Sequence, residues 1–369
     1  MSNTIGNNLT LTIFGESHGK MIGATLDGLP SGIKIDEDFI ELQMSKRRAK
    51  GNISTQRHEE DIPNIISGVF NGYTTGTPLT LLIQNKDTRS VDYEKTKNIP
   101  RPGHADYTAK IKYYNFQDYR GGGHFSGRLT AAIVAAGAIC MLALREKKIY
   151  ISTHIKQLYN LYDDDFDFEN ILDQFEELNN KDFAVLNNKI SKKMVEIIDD
   201  ARLDLDSLGG VLETVVINLP KGLGDPLFNS VEGNIAKALF GIGAIKGVEF
   251  GQGFNFANMK GSNSNDPIRV KDKKVISTTN NNGGINGGIT NGMPLIVKTV
   301  VKPTSSIARK QESIDMETNM NTTLEITGRH DPAIIHRARV VVDCMISIVL
   351  LDLIVTRYGQ DWSKTICED

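Results

Sequence analysis

Residues 120–130 read Arg120-Gly-Gly-Gly-His-Phe-Ser-Gly-Arg-Leu-Thr130 and continue directly into the apolar run AAIVAAGAICMLAL. The run predicts a buried helix, and the three glycines predict a turn at its mouth, where positive φ lets backbone N–H groups approach a ligand. A helix start adds unpaired N–H donors, and Arg120 and Arg128 flank the turn with full charges. No Lys-Ser or Lys-Thr follows the glycines, so the segment favours a dedicated phosphate or carboxylate pocket over a nucleotide-cradling loop. A plain glycine-rich turn before a core helix is the alternative.

The bulk composition is that of a folded protein with no charge-driven partner. The 369 residues suffice for one large domain or for two or three ordinary ones. Hydrophobic residues make up 40% and charged residues 24%, which indicates a globular rather than a disordered chain. A net charge of -3 argues against general binding to nucleic acids or membrane surfaces, so positive charge has to be judged locally.

Nothing in the sequence predicts a secreted, membrane-spanning or metal-dependent protein. Cys140, Cys344 and Cys367 are widely separated and show neither a disulfide framework nor metal-ligand spacing. The N-terminus lacks a basic region followed by an apolar stretch, and the longest apolar runs, 129–144 and 340–355, are short or interrupted by charge. We therefore expect a cytoplasmic protein without a metal.

An internal duplication is predicted from two stretches that share the order strand, turn and helix. In the first stretch the strand, turn and helix are expected at 9–14, 29–33 (LPSGI) and 36–48. In the second they are expected at 210–218, 219–223 (LPKGL) and 229–241. The shared Leu-Pro-x-Gly turn suggests that one unit was duplicated.

Two long apolar helices, predicted at 129–144 and 338–357, complete the two halves. Both are apolar nearly all round, so we expect them to be buried against each other. The predicted fold is a single large α+β domain, 1–369, with these central helices sandwiched between two antiparallel β-sheets and pseudo-repeat halves at about 1–150 and 207–369. Residues 160–206 are acidic and amphipathic and predict a surface excursion. The Gly/Asn-rich residues 261–293 predict a loop that is either flexible or folded around a ligand.

Six segments combine glycine or hydroxyl groups with charge or imidazole, which is the chemistry of an anion site. They are GESHG (15–19), KRR (46–48), RPGHADY (101–107), RGGGHFSGR (120–128), KPTSS (302–306) and GRHDP (328–332). Together they indicate a pocket rich in arginine, whose planar guanidinium pairs with carboxylate and phosphate. No motif supports a zinc protease or a serine hydrolase.

Taken singly, each segment has a plain structural alternative. These alternatives are His18 and His104 as turn residues, Arg47 and Arg48 as a solvated helix end, Asp331 as a helix cap before Pro332, and the run from Lys302 as a Ser/Thr turn. The remaining histidines considered, His58, His154 and His336, carry no local motif and are expected to be surface or core residues.

Seven segments, in this order, closely resemble those of chorismate synthase: GESHGKMIGATLDGLPSGI, STQRHEEDIPNIISGVFNGYTTGTP, RPGHADYTAKIKY, DYRGGGHFSGR, GGINGGITNG, KPTSSI and TGRHDP. The resemblance covers almost the whole chain. It implies the last step of the shikimate pathway, in which 5-enolpyruvylshikimate 3-phosphate loses phosphate from C3 and a proton from C6 by 1,4-anti elimination to yield chorismate. It also implies a requirement for reduced FMN without net redox change, and a homotetramer of subunits with helices between two sheets.

The same resemblance implies roles for individual residues. His18 would protonate or hydrogen-bond the leaving phosphate, His104 would balance the reduced flavin at its N1–C2 edge, and Asp331 would relay the proton through flavin N5. The substrate would be bound by Arg47, Arg48, Arg128, Arg329 and Ser17, with Arg101 and Arg120 as weaker candidates. The flavin contacts would be His124, Phe125, Ser126, Gly243, Ala244, Gly287, Lys302, Pro303, Thr304, Ser305, Ser306 and Arg329, of which residues 302–306 would hold the FMN phosphate.

Two other classes of function could use some of these segments. A kinase or phosphatase would need a Walker lysine or a metal–carboxylate cluster, and the sequence shows neither. A non-enzymatic flavin carrier would need the flavin pocket but not paired histidines and an aspartate. The sequence has no evident Rossmann fingerprint, so either an external flavin reductant or reductase, or NADPH used by the chain itself, would reduce the flavin.

Overall fold

Most strands of this protein belong to two five-stranded antiparallel sheets, and the others form two-stranded ribbons. The computed structural model describes residues 3–49, 53–54, 60–86, 97–326 and 331–362. The strands are β1 Thr4–Ile5, β2 Thr10–Gly15, β3 Met21–Asp27, β4 Asn64–Ser67, β5 Val69–Phe70, β6 Tyr73–Thr74, β7 Leu79–Gln84, β8 Tyr150–Leu158, β9 Leu161–Tyr162, β10 Gly210–Ile217, β11 Ile245–Phe250, β12 Ile268–Lys271, β13 Lys274–Ser277, β14 Ile285–Asn286, β15 Ile289–Thr290, β16 Leu295–Val301, β17 Gln311–Asp315 and β18 Met320–Leu324. The helices are α1 Glu37–Arg47, α2 Asp106–Lys112, α3 Thr130–Glu146, α4 Ile171–Asn180, α5 Asn188–Leu203, α6 Val231–Leu239, α7 Gly261–Ser264 and α8 Ile335–Tyr358.

The first sheet has the strand order β1-β2-β3-β7-β4, and every neighbouring pair is antiparallel. On β7 the side chains of Leu79, Leu81 and Ile83 are buried, while the residues between them are partly exposed. This period of two follows from the strand's pleat, which points alternate side chains to opposite faces. The buried face therefore provides one wall of the core.

The second sheet has the order β11-β16-β10-β8-β9, also with antiparallel neighbours. The acidic stretch 160–206 contributes β9, α4 and α5, and α4 packs against β8. A separate apolar cluster holds it there and consists of Phe166, Phe175, Leu178, Ala184, Val215 and Ile217. The stretch is thus anchored to the sheet by a small core of its own.

Helices α3 and α8 pack against each other and are buried almost all round, as their uniformly apolar sequences predict. Helix α3 packs against β2, β3 and β7, whereas α8 packs against β8 and β10. Gly137 makes the close approach possible, because a Cβ built there would lie 2.3 Å from the Cβ of Cys344. Together these elements form a mixed helix and strand fold.

Helix α3, together with the turn before it, is longer than the range 129–144 predicted from the sequence. Gly127–Glu146 is long and apolar enough to cross a membrane by length and composition, but 83% of its apolar window is buried inside the protein. Such burial is typical of the core helix of a globular protein. Cys140 and Cys344, on the two central helices, are free and buried, and burial raises the pKa of both thiols.

His154 lies on β8 between two carboxylates and is fully buried. Its Nδ1 is 2.7 Å from Asp163 Oδ2, and its Nε2 is 3.3 Å from Glu213 Oε1. Burial alone would lower the pKa of His154, but the hydrogen bonds to the two carboxylates outweigh burial and raise the pKa above its ordinary value. The motif-free histidine is thus a core residue that joins β8, β10 and the segment after β9.

We expect this contact to make the free energy of unfolding depend on pH. Because the pKa of His154 is higher in the folded than in the unfolded chain, its protonation stabilises the fold below about pH 6.5, and this stabilisation is lost as pH rises through the folded pKa. Urea unfolding at a series of pH values should therefore show that His154→Gln removes this part of the pH dependence.

His336→Gln is the matched control with the opposite sign. Burial lowers the pKa of His336 to about 4, so its neutral form stabilises the fold and its contribution is lost as pH falls from about 6.5 towards 4. If the His154→Gln chain kept the same pH dependence as the unaltered chain, the role assigned to His154 would be wrong.

Candidate active site

Two loops that carry histidine meet at the glycine turn, one on each side. Gly121, Gly122 and Gly123 have φ values of 57, 84 and 54°. A Cβ built on Gly121 would lie 2.2 Å from Cε1 of His18, and one built on Gly122 would lie 3.4 Å from Cε1 of His104. Glycine therefore serves at both positions because the backbone is left-handed, and at Gly121 also because the imidazole of His18 occupies the space of a side chain.

Backbone contacts fix the first loop on the turn. The N–H of Ser17 donates to the carbonyl of Gly123 at 3.1 Å, and Nδ1 of His124 donates to the carbonyl of Gly15 at 2.8 Å. The Ser17 hydroxyl also borders the turn, since a Cβ at Gly121 would lie 2.9 Å from its oxygen. Residues 15–19 and 120–124 thus form one continuous surface.

The segment that follows β16 is bonded to the loop that carries His104. Lys302 Nζ donates to the carbonyl of Gly103 at 2.5 Å and to Ser305 Oγ at 2.8 Å. Ser305 Oγ donates to the same carbonyl at 2.9 Å, and Arg101 Nη1 donates to Ser306 Oγ at 3.2 Å. These bonds join the RPGHAD and KPTSS motifs, which are about 200 residues apart in sequence.

Two further features make this segment suited to an anion. Thr304 Oγ1 is buried and has no hydrogen-bond partner among the described residues. Burial and the nearby charge of Lys246 lower the pKa of Lys302. Lys246 is the extra residue of a register shift between Ile245 and Gly247, and the carbonyl of Ala244 accepts from the N–H of Lys302 at 2.9 Å. A bound phosphate would supply the hydrogen-bond partner that this hydroxyl lacks and a negative charge beside the two lysines.

His104 itself is held by a carboxylate from its own motif. Its Nδ1 is 2.7 Å from Asp106 Oδ1, and Arg101 pairs with both oxygens of the same carboxylate, at 2.7 and 2.8 Å. Burial alone would raise the pKa of Asp106, but the hydrogen bonds from Arg101 and His104 hold it well below its usual range. His104 is therefore an oriented side chain and not a histidine that bonds its own backbone.

A second cluster of buried charge lies where α1 ends and α3 begins. Asp61 accepts from Arg47 Nη1 at 2.5 Å and from Arg128 Nη1, and all three side chains are buried. Arg128 Nε donates to Asn85 Oδ1 at 2.9 Å, while Asn85 Nδ2 donates to the carbonyls of residues 16 and 19 at 3.0 and 2.9 Å. Asn85 thus links this charge cluster to the loop of His18.

The alternative of a solvated helix end is wrong for Arg47, which is only 4% exposed. Arg48 behaves differently, because its guanidinium forms a bidentate salt bridge with the half-exposed Glu41, with N–O distances of 2.5 and 3.0 Å. Arg120 likewise pairs with Asp118, at 2.7 Å. The predicted arginines therefore divide into buried and surface groups.

Asp331 does not cap the last helix. Helix α8 begins at Ile335, and its cap position, Ile334, makes no side-chain capping bond. The carboxylate of Asp331 instead accepts from Arg337 Nη1 at 2.6 Å, and Arg337 Nε donates to the carbonyl of Arg47 at 2.7 Å. The cap alternative is therefore wrong, and Asp331 is tied to the end of α1.

The other predicted site residues take varied positions. Phe125 is 43% exposed, with its ring centroid 6.2 Å from that of Tyr113. Ser126 Oγ accepts from the N–H of Arg128 at 3.3 Å, and the ring of Pro303 packs close to Gly209. Gly243 directly precedes Ala244 in the turn before β11.

Of the remaining expectations, one concerns the place of Gly287, one needs correction, and several fall outside the described residues. Gly287 sits in the β14–β15 hairpin, which is hydrogen-bonded to residues 222–231. The glycine turn is separated from α3 by a short 3₁₀ turn, Gly127–Leu129, so it does not sit directly on the first N–H groups of the helix. Arg329, Gly328, His330, His58 and Cys367 lie outside the described residues.

Several residues that build the site carried no signal in the sequence. They are Asn85, Lys246 and Arg337, each of which has a partner far away along the chain. Asp61 lies in a quoted motif, but its pairing with Arg128 gave no signal. Asp106 could have been found, because it stands two residues after His104 in the same motif. Among the described residues no group of three His, Cys, Asp or Glu side chains is placed to hold a metal. The arrangement as a whole can bind anions and move protons.

Comparison with known proteins gives one consistent family. The sequence model of the chorismate synthase family matches residues 9–355. Chorismate synthase of Pyrococcus abyssi is 44% identical over 352 residues, which cover 95% of this chain and 97% of that protein. The enzyme of Dehalococcoides mccartyi is 44% identical over 354 residues, or 96% of each chain. A crystal structure of chorismate synthase matches with a TM-score of 0.75 at 30% identity, covering 96% of this chain and 93% of that one.

The glycine turn predicts a sharp difference between two substitutions in one loop. Gly121→Ala should lower the free energy of unfolding by about 1–3 kcal/mol, because alanine at positive φ is strained and its Cβ meets His18. Gly127→Ala is the control, since a Cβ there has open space and no left-handed backbone, and it should change stability by less than about 0.5 kcal/mol. Urea denaturation of both variants gives the comparison, and equal losses would contradict it.

Proposed function

The chain belongs to the chorismate synthase family, and we propose that the cluster around the glycine turn is the site of its reaction. The protein is a carbon–oxygen lyase that performs the last step of the shikimate pathway. It eliminates phosphate from 5-enolpyruvylshikimate 3-phosphate and forms chorismate. The observation that carries the site assignment is the glycine turn, against which His18 and His104 pack from two distant loops.

The substrate carries one phosphate and two carboxylates, so its site needs several fixed cations. We propose that these are Arg47, Arg48, Arg128 and Arg329, with Ser17 as a hydroxyl donor. The shared bond to Asp61 supports this for Arg47 and Arg128, because it holds both guanidiniums in one orientation before any ligand arrives. Arg48 would have to exchange its contact with Glu41 for the substrate.

The residues present suit a flavin phosphate. The buried, unpartnered hydroxyl of Thr304 and the ammonium of Lys302 are donors of the kind that phosphate oxygens accept. We propose that residues 302–306 hold the FMN phosphate and that the flavin contacts are His124, Phe125, Ser126, Gly243, Ala244, Gly287 and Arg329. When bound, reduced FMN supplies electron density for cleavage of the C–O bond without net redox change.

The chain's own contribution is to place proton donors and acceptors. His18, packed on the glycine turn beside Ser17, would donate a proton or hydrogen bond to the departing phosphate. His104 would hold a proton at the flavin edge. Asp331, kept in place by Arg337, would accept the proton that leaves C6 of the substrate. This proton needs an acceptor because no carbonyl group next to C6 makes it acidic. The two sides of the elimination would thus be served by different parts of the chain.

We also propose that the fold is one domain with a helical layer between two sheets and an internal pseudo-duplication. Thr74 Oγ1 accepts from the last N–H of the 29–33 turn at 2.9 Å and donates to its proline carbonyl at 2.7 Å. Thr290 Oγ1 bridges the 219–223 turn in the same way, at 2.8 and 2.7 Å. Each threonine begins a similar segment, TTGTPL or TNGMPL, that enters β7 or β16. Two chain segments that match in sequence and in hydrogen bonds support one duplicated unit.

For the assembly, we propose a cytoplasmic homotetramer with a small-molecule substrate and no nucleic-acid or membrane partner. Large apolar side chains at the surface support burial between subunits, among them Phe228, Phe116 and Phe254, which are 99, 92 and 84% exposed. An external flavin reductant or reductase, or NADPH (NADP being its oxidised form), would supply the reduced flavin.

The reaction itself gives the decisive test. With 5-enolpyruvylshikimate 3-phosphate and reduced FMN under anaerobic conditions, we expect chorismate absorbance to rise, and with oxidised FMN alone we expect no turnover. His18→Ala should lower turnover by roughly 10²–10⁴-fold, the usual contribution of a general acid or base. Phosphate release without chorismate would indicate a phosphoryl-handling enzyme, and flavin binding without either product would indicate a carrier.

The proposed phosphate segment can be tested without turnover. Lys302→Ala should weaken the binding of oxidised FMN by about 10–150-fold, because a hydrogen bond to a charged group contributes ~1.5–3 kcal/mol. The same variant should bind riboflavin, which has no phosphate, with unchanged affinity. Lys298→Ala is the matched control, since this lysine lies on β16, the strand that leads into Lys302, and pairs with Glu249 at 3.7 Å. Fluorescence titration measures both ligands, and an equal loss for FMN and riboflavin would place Lys302 outside the phosphate site.

A further inference from the structure

Asp106 is the centre of a hydrogen-bonded unit that the reaction as described so far does not use. Its Oδ1 is 2.7 Å from His104 Nδ1 and 2.8 Å from Arg101 Nη2. Its Oδ2 accepts from Arg101 Nε at 2.7 Å and from the backbone N–H of Arg101 at 3.0 Å. One carboxylate therefore fixes an imidazole, a guanidinium and the loop between them.

This geometry decides which nitrogen of His104 carries a proton. Arg101 Nη2 lies 3.1 Å from Nδ1, but a guanidinium only donates and cannot receive the proton of an N–H. The carboxylate of Asp106 stays ionised, because its pKa is held well below the usual range, and it accepts from Nδ1. Nε2 is then the nitrogen left for other contacts, and this edge of the ring faces Gly122, where a built Cβ would lie 3.6 Å from Nε2.

The same carboxylate also reaches the segment after β16. Arg101 forms a bidentate salt bridge with Asp106, and its remaining Nη1 donates to Ser306 Oγ at 3.2 Å. Gly103, in the same loop, accepts from Lys302 and Ser305. The orientation of His104 and the position of the Lys302–Ser306 segment therefore depend on one group.

We propose that Asp106 is a positioning residue of the elimination: it keeps the proton of His104 on Nδ1, presents Nε2 at the glycine turn, and orients Arg101 towards the phosphate-binding segment. The proposal rests on the proposed function for the place of His104 beside the flavin. The competing explanation is a purely local one, in which Asp106 is an acidic residue in the first turn of α2 that favours the helix dipole. Such a residue would not set the tautomer of a neighbouring histidine.

The two explanations predict different results for Asp106→Asn and Asp106→Glu, and a control variant provides the comparison. Asparagine keeps the shape but offers a single acceptor oxygen, for which Arg101 and His104 must compete, whereas glutamate retains both oxygens and the charge. Asp199→Asn is the matched control, since it removes an aspartate that pairs with Arg202 at 2.8 Å on the surface of α5. Imidazole ¹⁵N shifts of the FMN-free chain report the tautomer, and His104→Gln identifies the signal of His104 among the seven histidines.

In the unaltered chain we expect the neutral ring of His104 to carry its proton on Nδ1. In Asp106→Asn the Nε2–H tautomer should gain population, turnover should fall by about 10²-fold, and its pH profile should change shape. Oxidised FMN should bind several-fold more weakly in this variant, and Asp106→Glu should restore the tautomer and most of the turnover. Asp199→Asn should match the unaltered chain throughout.

An Asp106→Asn chain that kept the Nδ1–H tautomer and the original pH profile would overturn the proposal, even if it were less stable. Failure of the proposed function has a different signature, because the unaltered chain itself would then make no chorismate with reduced FMN. The tautomer is measured without flavin or substrate. The two failures are therefore distinguishable.

Discussion

The left-handed backbone of Gly121, Gly122 and Gly123 is the constraint on which the site depends. Three successive residues at positive φ turn the chain sharply, the absence of a Cβ at Gly121 leaves room for His18, and His104 packs against Gly122. A side chain at the first glycine would displace the imidazole of His18, and a side chain at the third would meet the carbonyl of Asp118. Both histidine loops therefore pack on the turn, and its backbone conformation helps to fix their positions.

The proposed duplication explains where the site lies in the fold. In each half a strand leads through a long connection into a central helix: residues 85–129 connect β7 to α3, and residues 302–334 connect β16 to α8. The first connection supplies His104 and the glycine turn, and the second supplies Lys302 and Asp331. The two connections differ in sequence, and they are joined by the bonds of Lys302 and Arg101. Under the proposed duplication, equivalent positions of the two halves would carry different chemistry.

The sequence predicted elements and motifs well because their signals are local. Helices α1 and α6 and the two apolar helices all lie within a few residues of their expected bounds. The pairing of charges was not predictable, because Asp61 lies 67 residues from Arg128 and Arg337 lies 290 residues from Arg47. Asp331 shows a different limit: Asp before Pro is typical of a helix cap, but the carboxylate pairs instead with Arg337, six residues further along the chain.

Electrostatics reconciles an arginine-rich site with a net charge of -3. Five described arginines of the proposed site are paired with carboxylates, namely Arg101 with Asp106, Arg120 with Asp118, Arg47 and Arg128 with Asp61, and Arg337 with Asp331. A carboxylate lowers the local excess of positive charge, but it also fixes the direction of the remaining guanidinium N–H groups. Under the proposed site assignment, this pairing would limit the reorganisation that free arginines undergo during a reaction. Selectivity for a substrate with three anionic groups would then follow from the orientation of donors, and a large excess of positive charge would not be required.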